Sequence, residues 1–141
     1  MKRAVFWLAL CLTMAGPVEA QQVQQVLNEI RADHGKGPVM LSDQLEQAAM
    51  AHASDMLRNG FFGHTGSDGS DLLVRVRRQG YHACFIAENI ARSRRDLVKV
   101  MRDWMNSPGH RRNLLRADLA NYGLARAQGG IWVLVLGRDG C

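Results

Sequence analysis

The 141-residue sequence has only three cysteines and three prolines, and it contains no internal repeat, low-complexity tract or linker. One domain is therefore expected. It carries no P-loop, no dinucleotide-binding glycine pattern and no Gly-x-Ser-x-Gly elbow, which removes the commonest nucleotide and serine-hydrolase templates. "SDGSD" lacks the length and the closing Glu of a calcium-binding loop. Zinc-finger and RNA-binding signatures are absent too, so the arginine clusters "RVRR" (75–78), "RSRR" (92–95) and "HRR" (110–112) read as solvated surface rather than a nucleic-acid interface. The one long apolar stretch, residues 4–15, is shorter than the ~20 residues needed to cross a bilayer.

That stretch has the form of an export signal. Lys2 and Arg3 precede the apolar segment, and Val18-Glu19-Ala20 places small residues where a signal peptidase reads. Residues 1–20 are expected to be a signal peptide cut after Ala20, leaving residues 21–141 as one secreted or periplasmic domain, a monomer that does not span a membrane. Cys11 follows Leu10, where a lipoprotein signal wants a small residue, which argues against lipid attachment. Export would leave Cys84 and Cys141, and an even pair in an oxidising compartment predicts one disulfide from mid-chain to the C-terminus. The net charge of +5 falls by one when Lys2, Arg3 and Glu19 are removed.

Hydrophobic periodicity organises the remainder. Val23, Val26, Leu27 and Ile30 form one stripe of a helix stopped by Gly35. A second helix opens at Ser42 or Asp43, with Glu46 completing a capping-box pattern from Asp43, and ends at Gly60. Its inner face carries Leu45, Ala48, Ala49, His52 and Met56, so His52 reads as a core histidine. "FFGHTGSDGSD" is a loop. Ser70 or Asp71 then caps a third helix with Leu72, Leu73 and Val76 inward and Gly80 at its end. "YHACFIAENIA" reads as a short strand. Asp96 caps a fourth helix with Leu97, Val100, Met101 and Trp104 inward, and Pro108 suits the first turn of a short fifth. Gly129-Gly130 turn a closing β-hairpin. The fold class is α+β, with a small antiparallel sheet covered by helices.

Three polar sites interrupt these elements: His64 in the glycine-rich loop, Glu88-Asn89 inside an apolar strand, and His110 after Ser107-Pro108-Gly109. A carboxylate flanked by Phe85, Ile86, Ala87 and Ile90 is partly buried and needs donors or a cation beside it. His64 and His110 fill that role, either directly or through a metal they hold. The three residues lie roughly two dozen positions apart, unlike zinc sites built on a single helix, and two histidines are a thin shell for catalytic zinc.

Together "FFGHTGSDG", "AENIA", "WMNSPGHRRNLL" and "NYGLARA…IWVLVLG" resemble the CAP superfamily (cysteine-rich secretory proteins, antigen 5 and pathogenesis-related class 1 proteins; the SCP domain), and its short bacterial branch above all. "VLNEIRADHG", "VMLSDQLEQAA" and Gly80-Tyr81 fit the same pattern, so the likeness covers nearly all of residues 21–141. The resemblance implies an α-β-α sandwich with a cleft lined by His64, Glu88 and His110, with Asn89 and Ser107 beside them. In some members such a cleft holds zinc or another divalent cation, here on His64 and His110. Eukaryotic members carry a second acid three residues after the helix tryptophan, where this chain has Ser107, and a site with fewer charges holds metal less tightly. Gly63 and Ala87 stand where serine and glycine are common. The family includes lipid binders, protease-like proteins and adhesion modules. The expected function is a binding module for a lipid, a cell-envelope component or a protein partner. The alternative is a metal-assisted hydrolase using His64, Glu88 and His110, or one in which Ser107 is the nucleophile.

Overall fold

The run Ile131–Leu136 is apolar at every position because it forms the middle of a sheet covered on both faces. In the computed structural model, which describes residues 17–141, Trp132, Leu134 and Leu136 enter one core with Val23, Leu27, Val100, Met101, Trp104 and Leu114. Ile131, Val133 and Val135 enter a second core with Leu45, Ala48, Ala49, Ala53, Met56 and Val76. The period-two alternation of one strand thus divides the molecule into an α-β-α sandwich. Each fully buried Leu or Val contributes roughly 1.5–3 kcal/mol.

The elements run α1 (Pro17–Asp33), β1 (Met40–Leu41), α2 (Asp43–Asn59), α3 (Leu72–Arg78), β2 (Ala83–Arg92), α4 (Leu97–Asn106), α5 (Pro108–Leu114), β3 (Asn121–Ala127) and β4 (Ile131–Asp139). The sheet order is β1-β3-β4-β2. Both β3 and β2 pair antiparallel with β4, whereas two-residue β1 pairs parallel with β3 through Met40–Asn121 and Leu41–Tyr122. The antiparallel expectation thus describes the three main strands, and a parallel edge is added. β2 is also longer than expected, at ten residues. α1 and α4 pack on one side and α2 and α3 on the other.

The caps explain most boundaries. Asp71 and Asp96 accept from Val74 N–H (2.8 Å) and Lys99 N–H (3.0 Å) at the starts of α3 and α4. At α2 the cap is Ser42, which accepts from Leu45 N–H at 3.3 Å. Glu46 therefore stands one position too far along for the capping box expected from Asp43. Pro108 occupies the first turn of α5. The hairpin turn places Gly129 and Gly130 at φ 76° and 75°, where other residues are strained. The expected signal segment lies outside the described residues as far as residue 16, and the cut expected after Ala20 falls in the first turn of α1. Cys84 and Cys141 are disulfide-bonded, joining the start of β2 to the chain end just beyond β4.

Candidate functional site

Strand β2 puts consecutive residues on opposite faces, so its two polar residues serve different layers. Glu88 lies on the side of Ile86 and Ile90, facing α2 and α3, while Asn89 lies on the side of α4 and α5. Glu88 is buried, and each carboxylate oxygen has a charged or polar partner. Arg75 Nη2 donates to Oε2 at 2.7 Å and His64 Nδ1 donates to Oε1 at 2.8 Å. Arg75, itself buried, also donates through Nη1 to the His64 carbonyl (2.7 Å) and the Ser70 carbonyl (3.1 Å). One guanidinium therefore fixes both the carboxylate and the loop that carries His64. These bonds offset part of the cost of burying the pair, while Arg75 Nε has no partner among the described residues.

His52 borders the same network. It is buried, as expected for a core histidine, and its Nε2 donates to the Gly63 carbonyl at 2.8 Å and lies 3.9 Å from Glu88 Oε1. Its Nδ1 has no partner among the described residues. Burial pushes its pKa below 6.5, only partly offset by the Glu88 charge, so the ring is held neutral. His64 differs: its side chain is 59% exposed. With Nδ1–H given to Glu88, its acceptor nitrogen is Nε2.

On the other face Asn89 donates to the His110 carbonyl at 3.1 Å and accepts from Asn113 Nδ2 at 2.8 Å. Asn113 also reaches the Glu88 carbonyl at 3.4 Å, so α5 is fastened along β2 by its first and last turns. The His110 ring lies over Trp104, centroids 6.5 Å apart, and its Nδ1 meets Ser107 Oγ at 3.0 Å. Burial and then the nearby charge of His64 hold His110 below its ordinary pKa of 6.5. His64 and Glu88 are thus in direct contact. His110 joins them through its backbone and the two asparagines, and its ring is committed to Ser107.

As they stand these donors make a thin shell for a divalent cation. Arg75 already supplies the positive charge beside Glu88, and His64, whose Nδ1–H is held by that carboxylate, has only Nε2 to offer a cation. Among the described residues no group of three His, Cys, Asp or Glu side chains is placed to hold a metal. A carboxylate at position 107 would force the proton onto His110 Nδ1 and leave Nε2 free to ligate. The Ser107 hydroxyl can either donate or accept and fixes neither tautomer.

Two participants were not singled out from the sequence. Arg75 belongs to a cluster read as solvated, yet it lies three residues after inward-facing Leu72 and next to Val76, on the buried stripe of α3. Asn113 lies one helical turn after His110 on the same side of α5. In both cases helical spacing was the available signal.

A family model described as "Cysteine-rich secretory protein family" matches residues 24–136. An extracellular SCP-domain protein of Bacillus anthracis superposes with a TM-score of 0.80 at 28% identity, over 85% of this chain and 40% of that one. An outer surface protein of Borrelia burgdorferi shares the fold, with a TM-score of 0.76 at 24% identity over 87% of this chain and 95% of that one. The uncharacterized protein YkwD of Bacillus subtilis is 27% identical over 113 residues, 79% of this chain and 44% of that protein. The chain thus spans less than half the length of YkwD and of the Bacillus anthracis protein.

Proposed function

The chain belongs to the cysteine-rich secretory protein family, and on that premise we propose that it is an exported binding module. A cleft formed around His64, Glu88, Asn89, Ser107 and His110 would hold a lipid, a cell-envelope component or a protein segment. The commitment of both Glu88 oxygens, one to Arg75 and one to His64, carries this reading. A buried carboxylate held in that way orients the loop that carries His64. The site then works by presenting two imidazoles, one from the loop and one from α5, on a rigid frame. Export is supported by the basic and apolar pattern of residues 2–15 and by relatives described as extracellular or outer-surface proteins. Among the described residues no helix is long and apolar enough to cross a membrane.

The test is cosedimentation with purified cell-wall sacculi and, separately, with lipid vesicles. The His64→Ala, His110→Ala double variant is expected to lose binding to whichever is bound by about tenfold or more, the equivalent of ~1.4 kcal/mol. Binding unchanged in that variant counts against the reading.

A second reading, acyl hydrolysis, draws support from the 3.0 Å contact between Ser107 Oγ and His110 Nδ1. His110, held neutral, would take the hydroxyl proton as Ser107 attacks an acyl carbonyl, then return it to the leaving group. Labelling of Ser107 by a fluorophosphonate is the check, and an unlabelled, folded protein rejects it. The metal-assisted form gains no support from a carboxylate already neutralised by Arg75.

A further inference from the structure

We propose that the hollow between α5 and the loop after α1 binds phosphate groups carried on a polyanionic chain. It goes beyond the cleft reading, since it lies on the opposite side of α5: His110 and Asn113 are tied to β2, while Arg111 and Arg112 turn to this hollow. The hollow has a volume of about 670 Å³, with Lys36, Arg111 and Arg112 on its walls and Met105, Pro108 and Leu115 lining it between them. Among the described residues none of the three cations is ion-paired, whereas Arg75, Arg78, Arg95, Lys99 and Arg116 all are. Among the described residues no carboxylate lines the hollow. The carboxylates of Glu29 and Asp33 line the neighbouring one between α1 and α4.

A fully buried arginine holds the two walls together. Arg31 donates through Nε to the Gly37 carbonyl (2.7 Å) and through Nη1 to the Leu114 and Arg116 carbonyls (2.7 and 3.0 Å). Its own carbonyl accepts from Lys36 N–H at 2.9 Å. The Lys36 loop and the end of α5 are therefore clamped to one side chain, and half-buried Lys36 and exposed Arg111 and Arg112 line one hollow on elements that the ligand does not have to gather. Every Arg31 hydrogen bond goes to a neutral carbonyl, so its charge, uncompensated by any carboxylate, adds to the potential of the hollow.

A concave site with forked guanidiniums fits a phosphate with several accepting oxygens. Docking on a lipid surface would need protruding apolar side chains beside the cations. The large exposed ones, Met40, Met50, Leu57, Phe62, Val74 and Val98, do not line this hollow.

The experiment uses short-chain inorganic polyphosphate as probe, measured by calorimetry on the folded chain. A Lys36→Gln, Arg111→Gln, Arg112→Gln variant is compared with an Arg77→Gln, Arg94→Gln, Arg138→Gln control that removes the same charge from other exposed sites. The hollow variant is expected to bind about tenfold more weakly or worse, with the control within about twofold of the parent. Three phosphate contacts predict a roughly 20- to 40-fold fall in affinity between 50 and 200 mM salt. Equal losses in the two variants would show net charge alone at work and overturn the site. So would competition by inorganic phosphate as strong as that of the polymer, or binding to phosphatidylglycerol vesicles without binding to polyphosphate.

Discussion

Arg75 Nη2 and Glu88 Oε2 lie 2.7 Å apart with both side chains buried, and this ion pair links α3 to the edge strand β2. Removing one partner leaves a buried charge unmatched. Arg75→Met is expected to lower stability by about 3–5 kcal/mol, because the Glu88 carboxylate keeps only His64. Adding Glu88→Leu should restore part of that loss, since two apolar side chains of similar volume replace the pair. Urea denaturation of both variants measures it, and equal stability of Arg75→Met and the parent would contradict the role given to this pair.

Stability is expected to fall as pH drops from 7 towards 5. His52 and His110 are both held below their ordinary value of 6.5, so the unfolded chain binds more protons than the folded one just below that pH. The histidine contribution is fully present above about 6.5 and is lost as the solution becomes more acidic. Glu46, raised above its ordinary 4.5 by burial, opposes this trend only around and somewhat above that pH. Asp55, Asp68, Asp96 and Asp118 lie below 3.8 through their hydrogen bonds, so their contributions vanish only in stronger acid. Melting temperatures at pH 7.5 and 5.5 test the sign, and His52→Gln should flatten the difference.

Gly123 lets the start of α2 sit directly on β3. A Cβ there would lie 2.1 Å from the Glu46 backbone nitrogen and 2.2 Å from the Leu45 carbonyl carbon. Neither backbone group can yield without moving the helix. Gly123→Ala is expected to cost about 3 kcal/mol or more, at the upper end of overpacking effects. A melting temperature unchanged from the parent would show that the two elements can separate cheaply.

The Cys84–Cys141 bond closes a long loop, with a sequence separation of 57. Chain-entropy arithmetic gives it roughly 4 kcal/mol. The Cys84→Ser, Cys141→Ser variant should lose up to about that amount in urea denaturation, and reduction of the parent should reproduce the effect. Equal stability of oxidised and reduced protein would contradict it.

Much of this architecture was legible in the residues themselves. The stripes of α1, α2 and α4, the caps at Asp71 and Asp96, the two-glycine turn and the cysteine pair all follow from local rules that act within a few positions. His64 and Glu88 were legible as a pair because a carboxylate inside "FIAENIA" must find donors. What escaped depends on contacts distant in sequence. β1 is two residues long, and only its pairing with β3 makes it a strand. Arg75 was hidden inside a charge cluster whose other members, Arg77 and Arg78, are exposed. Arg31 gave no signal at all, because its partners are backbone carbonyls, two of them more than eighty residues away.

The most direct test of the account is a calorimetric titration of zinc into the folded chain at pH 7. With Glu88 held by Arg75, no group of three His, Cys, Asp or Glu side chains placed to hold a metal among the described residues, and the His110 tautomer left unfixed by Ser107, no stoichiometric binding is expected up to about 100 µM zinc, far weaker than a built zinc site. One-to-one binding at about 10 µM or tighter, abolished by His64→Ala, His110→Ala, would contradict it and make these histidines metal ligands.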